Sequence, residues 1–436
     1  MTTRWTLCVF FLLLVSSCTA DTWVVIVSGG SGFYNYALQS NAYHAYGVIR
    51  GHGVPAERVI MMAVDDLAFH EDNPFPGQIF NEANGPDVYA GVSFDYRGAE
   101  VTPANFHAIL RGDRSAISGG SGRVLESTKD DHVFVYFVDH GDAGVICFPD
   151  DVVTAMELND TLAYMSTKEM FGQLLIFVDS CYSGSMFDGI LPSNANVYAM
   201  TAARADQLAF FTFCDLPVIR VCLATAFSHG WIVNSEESDP TVETLEQQFR
   251  AVSELVSGAN VSDFGDRTIR SESIALFQGG QQIGTANGDH NLTKAAAYSQ
   301  FTKDDLPIRF LESKLRDAQR PADRKSLKAE ISEMKAKRAF HDDHTNSLVR
   351  LLVEDEKRAA SIRREVPAKI TQLDCQQTAI RAYHERCFNL GTNPYAQRAA
   401  RVLTALCEDG HSTAAILKAI DGSCASSDPS SPTNIH

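Results

Sequence analysis

After its first 20 residues the sequence lacks a long hydrophobic run. No later apolar stretch approaches the roughly 18 residues that a membrane-spanning helix requires. The first 20 residues contain a basic residue at Arg4, an apolar run, and small residues at Cys18 and Ala20, which is the pattern of a cleaved signal peptide. We therefore predict a signal peptide at residues 1–20 and a mature protein without a membrane span. A bacterial lipid-attachment box at Cys18 is the less favoured alternative.

The front of the chain is also poor in basic side chains. Residues 1–302 carry 15 Lys and Arg against 35 Asp and Glu. Nucleic acids and anionic membranes bind proteins mainly through basic patches, so neither is an expected partner of this part. Residues 303–401 reverse the balance, with 21 basic and 15 acidic side chains. This basic segment is either an ordinary solvated helical surface or an electrostatic partner of the acidic part.

Zinc-type cysteine spacing is absent as well. None of the ten cysteines forms a Cys-x-x-Cys pair, and we expect no metal and no cofactor. An even set of four cysteines in the C-terminal part predicts two disulfides with three possible pairings; these are Cys375, Cys387, Cys407 and Cys424. Apart from Cys8 and Cys18 in the predicted signal peptide and the cysteine of the dyad discussed below, the remaining cysteines could pair or stay free; they are Cys147, Cys214 and Cys222.

Three Asn-x-Ser/Thr triplets agree with a secretory route. They begin at Asn159, Asn260 and Asn291, and each is a candidate glycosylation site. Such triplets also arise by chance, so their meaning depends on the signal peptide. With it, they predict a glycoprotein.

The hydrophobic pattern of the front part is typical of an α/β domain. Short apolar runs rich in β-branched residues, such as WVVIVS (23–28), HVFVYFV (132–138) and QLLIFVD (173–179), alternate with amphipathic helical stretches. Strands that are apolar on both faces and separated by helices indicate a mainly parallel sheet covered by helices on each side. We predict this domain at residues 21–285.

In the residues that follow this domain, hydrophobic side chains recur with the period of a helix, and strand-forming residues are few. The Gly-rich, polar stretch GGQQIGTANGDHNLT (279–293) predicts an exposed linker that a protease could cut. We assign residues 286–365 to a linker and helical activation segment, and residues 366–424 to a disulfide-stabilised all-helical domain. The Ser/Pro-rich residues 425–436 are predicted to be a disordered tail.

Two of the predicted strands end in residues that can carry chemistry. HVFVYFVDHG places His140 and Gly141 after one strand, and QLLIFVDSCYSG places Cys181 after another. Neighbouring parallel strands end along one edge of the sheet, where α/β folds bind ligands. An imidazole there can generate the thiolate of a cysteine, and the amides of Gly141 and Cys181 can donate to an oxyanion. Either residue alone is more often structural, but the pair favours a catalytic dyad.

These residues lie in a chain that resembles the legumains, the asparaginyl endopeptidases. The resemblance spans nearly the whole chain and rests on WVVIVSGG, YNY (34–36), HAYGVIRGHGVP, EDNPFPG, LRGD, VYFVDHG and DSCYSGSM, and on the four C-terminal cysteines. It implies a caspase-like peptidase domain followed by a death-domain-like helical prodomain. It also implies a zymogen that the prodomain caps and that self-cleavage activates in acidic lysosomes or vacuoles.

The same resemblance implies roles for individual residues. Cys181 matches the nucleophile and His140 the general base and acid. Asn35 matches the asparagine that orients the histidine, and Gly141 an oxyanion contributor. Asp139 matches a position that can form a succinimide linked to peptide ligation. The implied partners are protein and peptide substrates, the chain's own prodomain, and cystatin-type inhibitors.

The chain departs from the legumains at the pocket that binds P1, the residue before the scissile bond. Legumains select Asn with a charged pocket, whereas here only one acid remains among otherwise uncharged positions; they are Ala37, Leu38, Asp179, Leu208, Ala209 and Thr225. Each unmet polar group of a buried carboxamide costs roughly 1–3 kcal/mol. We therefore predict that the protein does not strongly prefer Asn at P1 and accepts a larger or apolar residue instead. A basic P1 residue facing Asp179 is a second possibility.

Two classes of function remain open on the sequence. The favoured one is a lysosomal, vacuolar or secreted cysteine endopeptidase made as a zymogen. The alternative is a non-catalytic peptide-binding relative, or a cysteine transamidase or ligase of the same fold. The presence of Cys181, His140 and Asn35 argues against the non-catalytic relative.

Overall fold

The computed structural model describes residues 20–214, 216–283 and 301–424. Most of the predicted signal peptide lies outside the described residues, and so do Asn291, much of the predicted linker, and the tail at 425–436. The boundaries predicted for the domains therefore stay predictions.

The described residues form eleven strands: β1 (Thr22–Ser28), β2 (Val59–Ala63), β3 (His132–Val138), β4 (Gly141–Asp142), β5 (Val145–Cys147), β6 (Val152–Thr154), β7 (Gln173–Asp179), β8 (Val197–Thr201), β9 (Phe211–Thr212), β10 (Ala224–Thr225) and β11 (Ser262–Gly265). Six of them form the central sheet in the order β11-β8-β7-β3-β1-β2. Only β11 runs antiparallel to its neighbour. The predicted mainly parallel sheet is therefore confirmed.

Twelve α-helices lie in the described residues: α1 (Tyr36–Gly51), α2 (Pro103–Leu110), α3 (Ala155–Thr167), α4 (Ala226–Glu237), α5 (Leu245–Leu255), α6 (Ala275–Gln278), α7 (Leu306–Asp317), α8 (Pro321–Arg350), α9 (Glu356–Arg364), α10 (Leu373–Arg386), α11 (Arg398–Glu408) and α12 (Thr413–Cys424). The helix α8 begins at Pro321, as its sequence predicts, because proline is tolerated in the first turn. It continues without a break to Arg350, since no Gly or Pro interrupts it. None of the described helices is both long and apolar enough to cross a membrane.

The sheet buries both of its faces. Val24 and Ile26 of β1 pack into a core on the side of α1 and α4, whereas Val25 and Val27 pack with α2 and α3 on the other side. Successive side chains of a strand point to opposite faces, so a strand covered by helices on both faces must be apolar throughout. This is the physical reason that the continuous apolar runs predicted the fold.

The C-terminal helices enclose a third core, which two disulfides cross. The pairs are Cys375–Cys407 and Cys387–Cys424, so the structure selects one of the three connectivities left open. In the front part Cys214 pairs with Cys222, and Cys147 and Cys181 are free thiols. The predicted all-helical C-terminal part is confirmed.

Candidate active site

The central sheet brings the two strand ends of the predicted dyad side by side. β3 and β7 are adjacent and parallel, with Val138 opposite Asp179. Beyond them, the Asp139 N–H donates to the Asp179 carbonyl oxygen at 3.2 Å. His140 and Cys181 each follow two residues after this pair, so they leave neighbouring strands at equivalent positions.

Asn35 holds the imidazole of His140. Its Oδ1 lies 2.8 Å from Nε2 of His140, and its Nδ2 donates to the Ser31 carbonyl oxygen at 2.8 Å. Because Nδ2 is engaged as a donor, Oδ1 is the atom turned to the ring, and an amide oxygen can only accept. Nε2 therefore carries the proton, and Nδ1 is the ring nitrogen that can accept one.

Cys181 is 4% exposed. It lies close to the hairpin that the antiparallel strands β9 and β10 form. Its Sγ donates weakly to the Ala209 carbonyl oxygen, with the sulfur 3.7 Å from the oxygen. Burial raises the pKa of the thiol to about 11, since an apolar surrounding disfavours the charged form. In this state the thiol is protonated at neutral pH.

The residue before the histidine is also buried. Oδ1 of Asp139 accepts a hydrogen bond from the His140 N–H at 2.6 Å, and burial raises the pKa of this carboxyl well above its usual range. Burial therefore favours the protonated form of this side chain, and its Oδ1 lies against the backbone nitrogen of the next residue.

Most of the residues predicted to form the P1 pocket pack in one hydrophobic core beside the β9–β10 hairpin. Ala37 and Leu38 at the start of α1, and Ala209 and Thr225 on the hairpin, are buried. Leu208 is half-buried and packs against the same core. Apolar surface thus replaces charge at most of these positions.

Asp179 does not present a free carboxylate to this pocket. Its Oδ2 accepts from Thr225 Oγ1 at 2.5 Å and from the Ser228 N–H at 3.2 Å, and the Ser228 hydroxyl also donates to it. Its side chain is buried, which raises its pKa. Each of these three donors is uncharged, so the carboxyl is part of an internal hydroxyl network rather than an exposed counterion.

A segment of the C-terminal part crosses the dyad. Phe301 forms an antiparallel bridge with Phe211. The chain then turns at residues 302–305, and the Lys303 side chain enters the site from this turn. The segment therefore meets the edge of β9 at Phe301 before it turns toward α7.

Lys303 fills the space beside the dyad. Its side chain has no solvent exposure, and its Nζ donates to the Gly141 carbonyl oxygen at 2.6 Å and to Gln397 Oε1 at 2.7 Å. It also lies 3.5 Å from Asp142 Oδ2. Burial and the charge of Lys303 together lower the pKa of His140 to about 3. The imidazole is therefore neutral, and the resting dyad is uncharged.

The C-terminal helices are joined to the peptidase part by ion pairs. Arg401 makes two hydrogen bonds to Asp142, at 3.0 and 2.7 Å. Arg381 bonds to Asp151 at 2.6 Å and to Glu157 at 2.7 Å. The third hydrophobic core also includes residues of β5 and β6. Apolar packing and opposite charges therefore act together across this interface.

Sequence reasoning did not single out Lys303, Gln397, Arg401 or Asp142. The basic balance of residues 303–401 pointed to the segment, but no local pattern distinguishes the one lysine that enters the site.

Two of the candidate glycosylation sites can be placed: Asn260 is exposed. Asn159 lies within α3, where its Nδ2 donates to the Ala155 and Met186 carbonyl oxygens.

Comparisons with known proteins find relatives over most of the chain. Residues 22–280 match the Peptidase C13 family, and residues 329–424 match the family described as legumain, prodomain. Hemoglobinase of Schistosoma mansoni is 36% identical over 408 residues, which are 93% of this chain and 92% of that protein. Legumain of Homo sapiens is 36% identical over 405 residues, 92% of each chain.

A more distant relative is the vacuolar-processing enzyme of Phaseolus vulgaris, which is 31% identical over 421 residues and covers 92% of this chain and 85% of that protein. Among solved structures, caspase-1 from Spodoptera frugiperda has a TM-score of 0.36 at 9% identity, covering 61% of this chain and 92% of that one.

Proposed function

Since the chain belongs to the Peptidase C13 family, and is therefore a cysteine endopeptidase with a legumain-type prodomain, we propose that Cys181 is its nucleophile and His140 its general base. The observation that carries this proposal is the tautomer that Asn35 imposes on His140. This tautomer leaves Nδ1 free to accept a proton. Cys181 follows the neighbouring strand β7 and so lies at the same edge of the sheet.

The proposed reaction follows from these roles. Nδ1 of His140 takes the Cys181 proton, and the thiolate attacks the carbonyl carbon of the scissile bond. The N–H groups of Gly141 and Cys181 stabilise the oxyanion. The imidazolium then protonates the leaving amine as the C–N bond breaks. Water, deprotonated by the same imidazole, hydrolyses the thioester and releases the acid product and the free thiol.

The proposed P1 preference is for an apolar residue. Leu38, Ala37 and Ala209 are buried apolar side chains at the positions predicted to line the pocket, and they would leave the donors and acceptor of an Asn side chain unmet at roughly 1–3 kcal/mol each. Asp179 is already bonded to Thr225 and Ser228, which argues against the second possibility of a basic P1 residue.

We further propose that the chain is a self-inhibited zymogen of the secretory pathway that reaches a lysosome, a vacuole or the exterior. The bridge at Phe301 and the buried Lys303 support inhibition by occupation of the peptide edge. The exposed Asn260 supports glycosylation. The contact of Asp139 with the His140 nitrogen supports a succinimide at this position, and with it some peptide ligation.

A panel of fluorogenic peptides that differ only at P1 tests the specificity. After acid treatment of the full-length protein, we expect kcat/KM for Leu or Met at P1 to exceed that for Asn by at least about tenfold, as for a polar side chain with unmet partners. Cys181→Ala should cleave none of them. Selective cleavage after Asn or after Lys would contradict the proposed pocket.

An alkylating peptide directed at Cys181 separates the remaining alternatives. Labelling only after acid treatment is the result expected of a zymogen. A thiol that stays unlabelled at every pH, in a folded protein, would instead favour the non-catalytic peptide-binding alternative. Peptide products joined to an added amine would measure the share of ligation.

A further inference from the structure

An open apolar groove lies at the tip of the β9–β10 hairpin. It has a volume of about 300 Å³, and its apolar lining comes from two loops. Val218 is 55% exposed and Phe75 37% exposed, so the groove faces solvent even while the C-terminal segment covers the dyad. The residues that matter here are Phe75, Phe80, Leu216, Val218, Ile219 and Leu223.

Both walls of the groove are fixed to the fold. The Cys214–Cys222 disulfide closes the hairpin loop. On the other wall, the Phe80 N–H donates to the Tyr36 hydroxyl at 2.7 Å. Asn81 Nδ2 donates to the Leu223 carbonyl oxygen at 3.1 Å, which ties the two walls together. A groove built this way is largely formed before a ligand arrives, as small-ligand and peptide sites usually are.

The pairing at β9 gives the direction in which a peptide reaches the groove. Phe301 is antiparallel to Phe211, and two residues later Lys303 lies beside the dyad, with its Nζ 2.6 Å from the Gly141 carbonyl oxygen. A peptide in the same register, followed toward its N-terminus, passes Phe211 at its third residue before the scissile bond and Phe213 at its fifth. The Phe213 carbonyl oxygen accepts from the Leu223 N–H at 3.3 Å, and Leu223 lines the groove.

The contacts of helix α7 independently trace a path from the neighbourhood of the dyad to this end of the hairpin. Its Phe310 ring packs on Phe33, with the ring centroids 5.8 Å apart. One turn further, Lys314 pairs with Asp72 at 2.8 Å. At the end of the helix, Asp317 pairs with Arg220 on the hairpin loop at 2.5 Å. The path from Lys303 along α7 therefore ends beside the groove.

From the strand register and the position of this groove we propose that it is a substrate subsite, which binds an apolar side chain four to six residues before the scissile bond. This inference rests on the proposed peptidase activity and adds a second specificity determinant to it. An extended peptide supplies backbone hydrogen bonds to β9 and one apolar anchor to the groove, which is how strand-addition sites gain specificity. An acidic residue there would be desolvated against aromatic and aliphatic side chains.

Matched peptides test the subsite. They share one cleavable core and carry Leu or Asp at the fourth, fifth or sixth position before the scissile bond, in an otherwise Gly and Ser background. With the acid-treated full-length protein, we expect at least one Leu peptide to exceed its Asp partner about tenfold in kcat/KM, mainly through KM. Val218→Asp should reduce this ratio to near one.

Val242→Asp is the matched control, because Val242 is also an exposed valine, 70% accessible, and lies on the surface away from the groove. It should keep the Leu preference. Equal cleavage of all peptides by the unmodified protein, or a preference that survives Val218→Asp, would overturn the proposal. So would a change of oligomeric state in Val218→Asp, which would assign the face to a second copy of the chain.

Failure of the peptidase itself gives a different result. If no peptide is cleaved and Cys181 is not labelled, the proposed activity is wrong. The subsite is then decided by fluorescence anisotropy, with the same labelled peptides and full-length Cys181→Ala protein at acidic pH. Tighter binding of the Leu peptide, lost in Val218→Asp, supports the subsite, and equal binding of the Leu and Asp peptides overturns it.

Discussion

A lysine without solvent exposure joins the two parts of the molecule. Lys303 satisfies its charge on Gly141, Gln397 and Asp142, and a buried ammonium needs such partners because desolvation is costly. Its Nζ lies against the carbonyl oxygen of Gly141, the residue that follows His140. One side chain therefore both anchors the segment and covers the dyad.

We expect Lys303→Ala to uncover Cys181 at neutral pH. Removal of one partner of a buried charged cluster typically costs about 3–5 kcal/mol, so the segment should leave the peptide edge more often. The measurement is the rate at which an alkylating peptide labels Cys181 in the full-length protein at pH 7. It should rise at least about tenfold, which corresponds to 1.4 kcal/mol.

Lys314→Ala is the control on the same segment. Lys314 pairs with Asp72 at 2.8 Å, but its side chain is 32% exposed, and such partly solvated pairs contribute about 0–1 kcal/mol. Labelling should change less than about fivefold. Equal acceleration in both variants would show that any loss of charge loosens the segment, and that Lys303 has no special position.

Asn35 acts on catalysis through the histidine. In Asn35→Ala, Nε2 of His140 loses its acceptor, so the ring is free to rotate and to change tautomer. We expect kcat of the acid-activated protein to fall about 10- to 100-fold, the usual cost of losing a partner that orients a histidine, with little change in KM. A melting temperature close to that of the unmodified protein would rule out a folding defect, and unchanged kcat would contradict the orienting role.

Within the C-terminal helices, α8 carries two histidines on one buried face. His341 and His344 are buried, and His341 Nε2 lies 3.2 Å from the Tyr383 hydroxyl of α10. Nδ1 of His341 and Nε2 of His344 have no hydrogen-bond partner among the described residues. Burial, His344 and Arg398 lower the pKa of His341 to about 3, and burial lowers that of His344.

These shifts make the helical core sensitive to acid. A histidine whose folded pKa lies below its unfolded value of about 6.5 contributes full stability above that pH and loses it as the pH falls. For His341, lowering the pH by two units from 6.5 reduces the free energy of unfolding by about 2–3 kcal/mol. The relevant window is therefore about pH 6.5 to 3, which includes acidic compartments.

The double variant His341→Gln, His344→Gln should flatten this dependence. Gln can replace the hydrogen bond to Tyr383 but does not titrate. In a Cys181→Ala background, thermal unfolding between pH 7 and 4 should show a smaller loss of Tm than the parent protein. His411→Gln, at the end of α11, is the control and should keep the parental slope. A double variant with the parental slope would contradict the role of the pair.

At the scale of the whole molecule, charge holds an acidic sheet domain to basic helices. Burial would raise the pKa of Glu157, but its hydrogen bonds from Arg381 and Thr154 outweigh burial and lower it. A carboxylate with a lowered pKa stabilises docking above its usual value of about 4.3 and loses this effect as the pH falls. Acid therefore weakens the interface from the side of the peptidase domain as well.

Arg381→Ala should release the prodomain at a higher pH than the parent protein. It removes the partner of both Asp151 and Glu157, and hydrogen bonds to charged groups contribute about 1.5–3 kcal/mol. We expect the pH midpoint of Cys181 labelling to rise by about one unit. Arg386→Ala, on the same helix but paired with the exposed Asp421 of α12, should leave the midpoint in place; equal shifts would mean that helix stability, not docking, sets release.

Much of the fold, and the candidate dyad, could be predicted from the sequence because the signals are local. Apolar runs on both strand faces predicted the parallel sheet, and the residues that end β3 and β7 predicted a dyad. The pocket substitutions Ala37 and Leu38 could also be read directly. The pairing of cysteines could not, since four thiols in one segment are compatible with three connectivities.

The sequence by itself thus determined the alternation of strands and helices and the placement of His140 and Cys181 after two strands, because each depends on the nearest residues along the chain. Only the tertiary structure decided that Lys303 lies against the dyad and that Asp179 turns to Thr225 and Ser228. It also decided that the hairpin tip and the Phe80 loop enclose a groove. Such contacts join residues far apart in sequence, and their geometry follows from how the packed elements meet rather than from any local pattern.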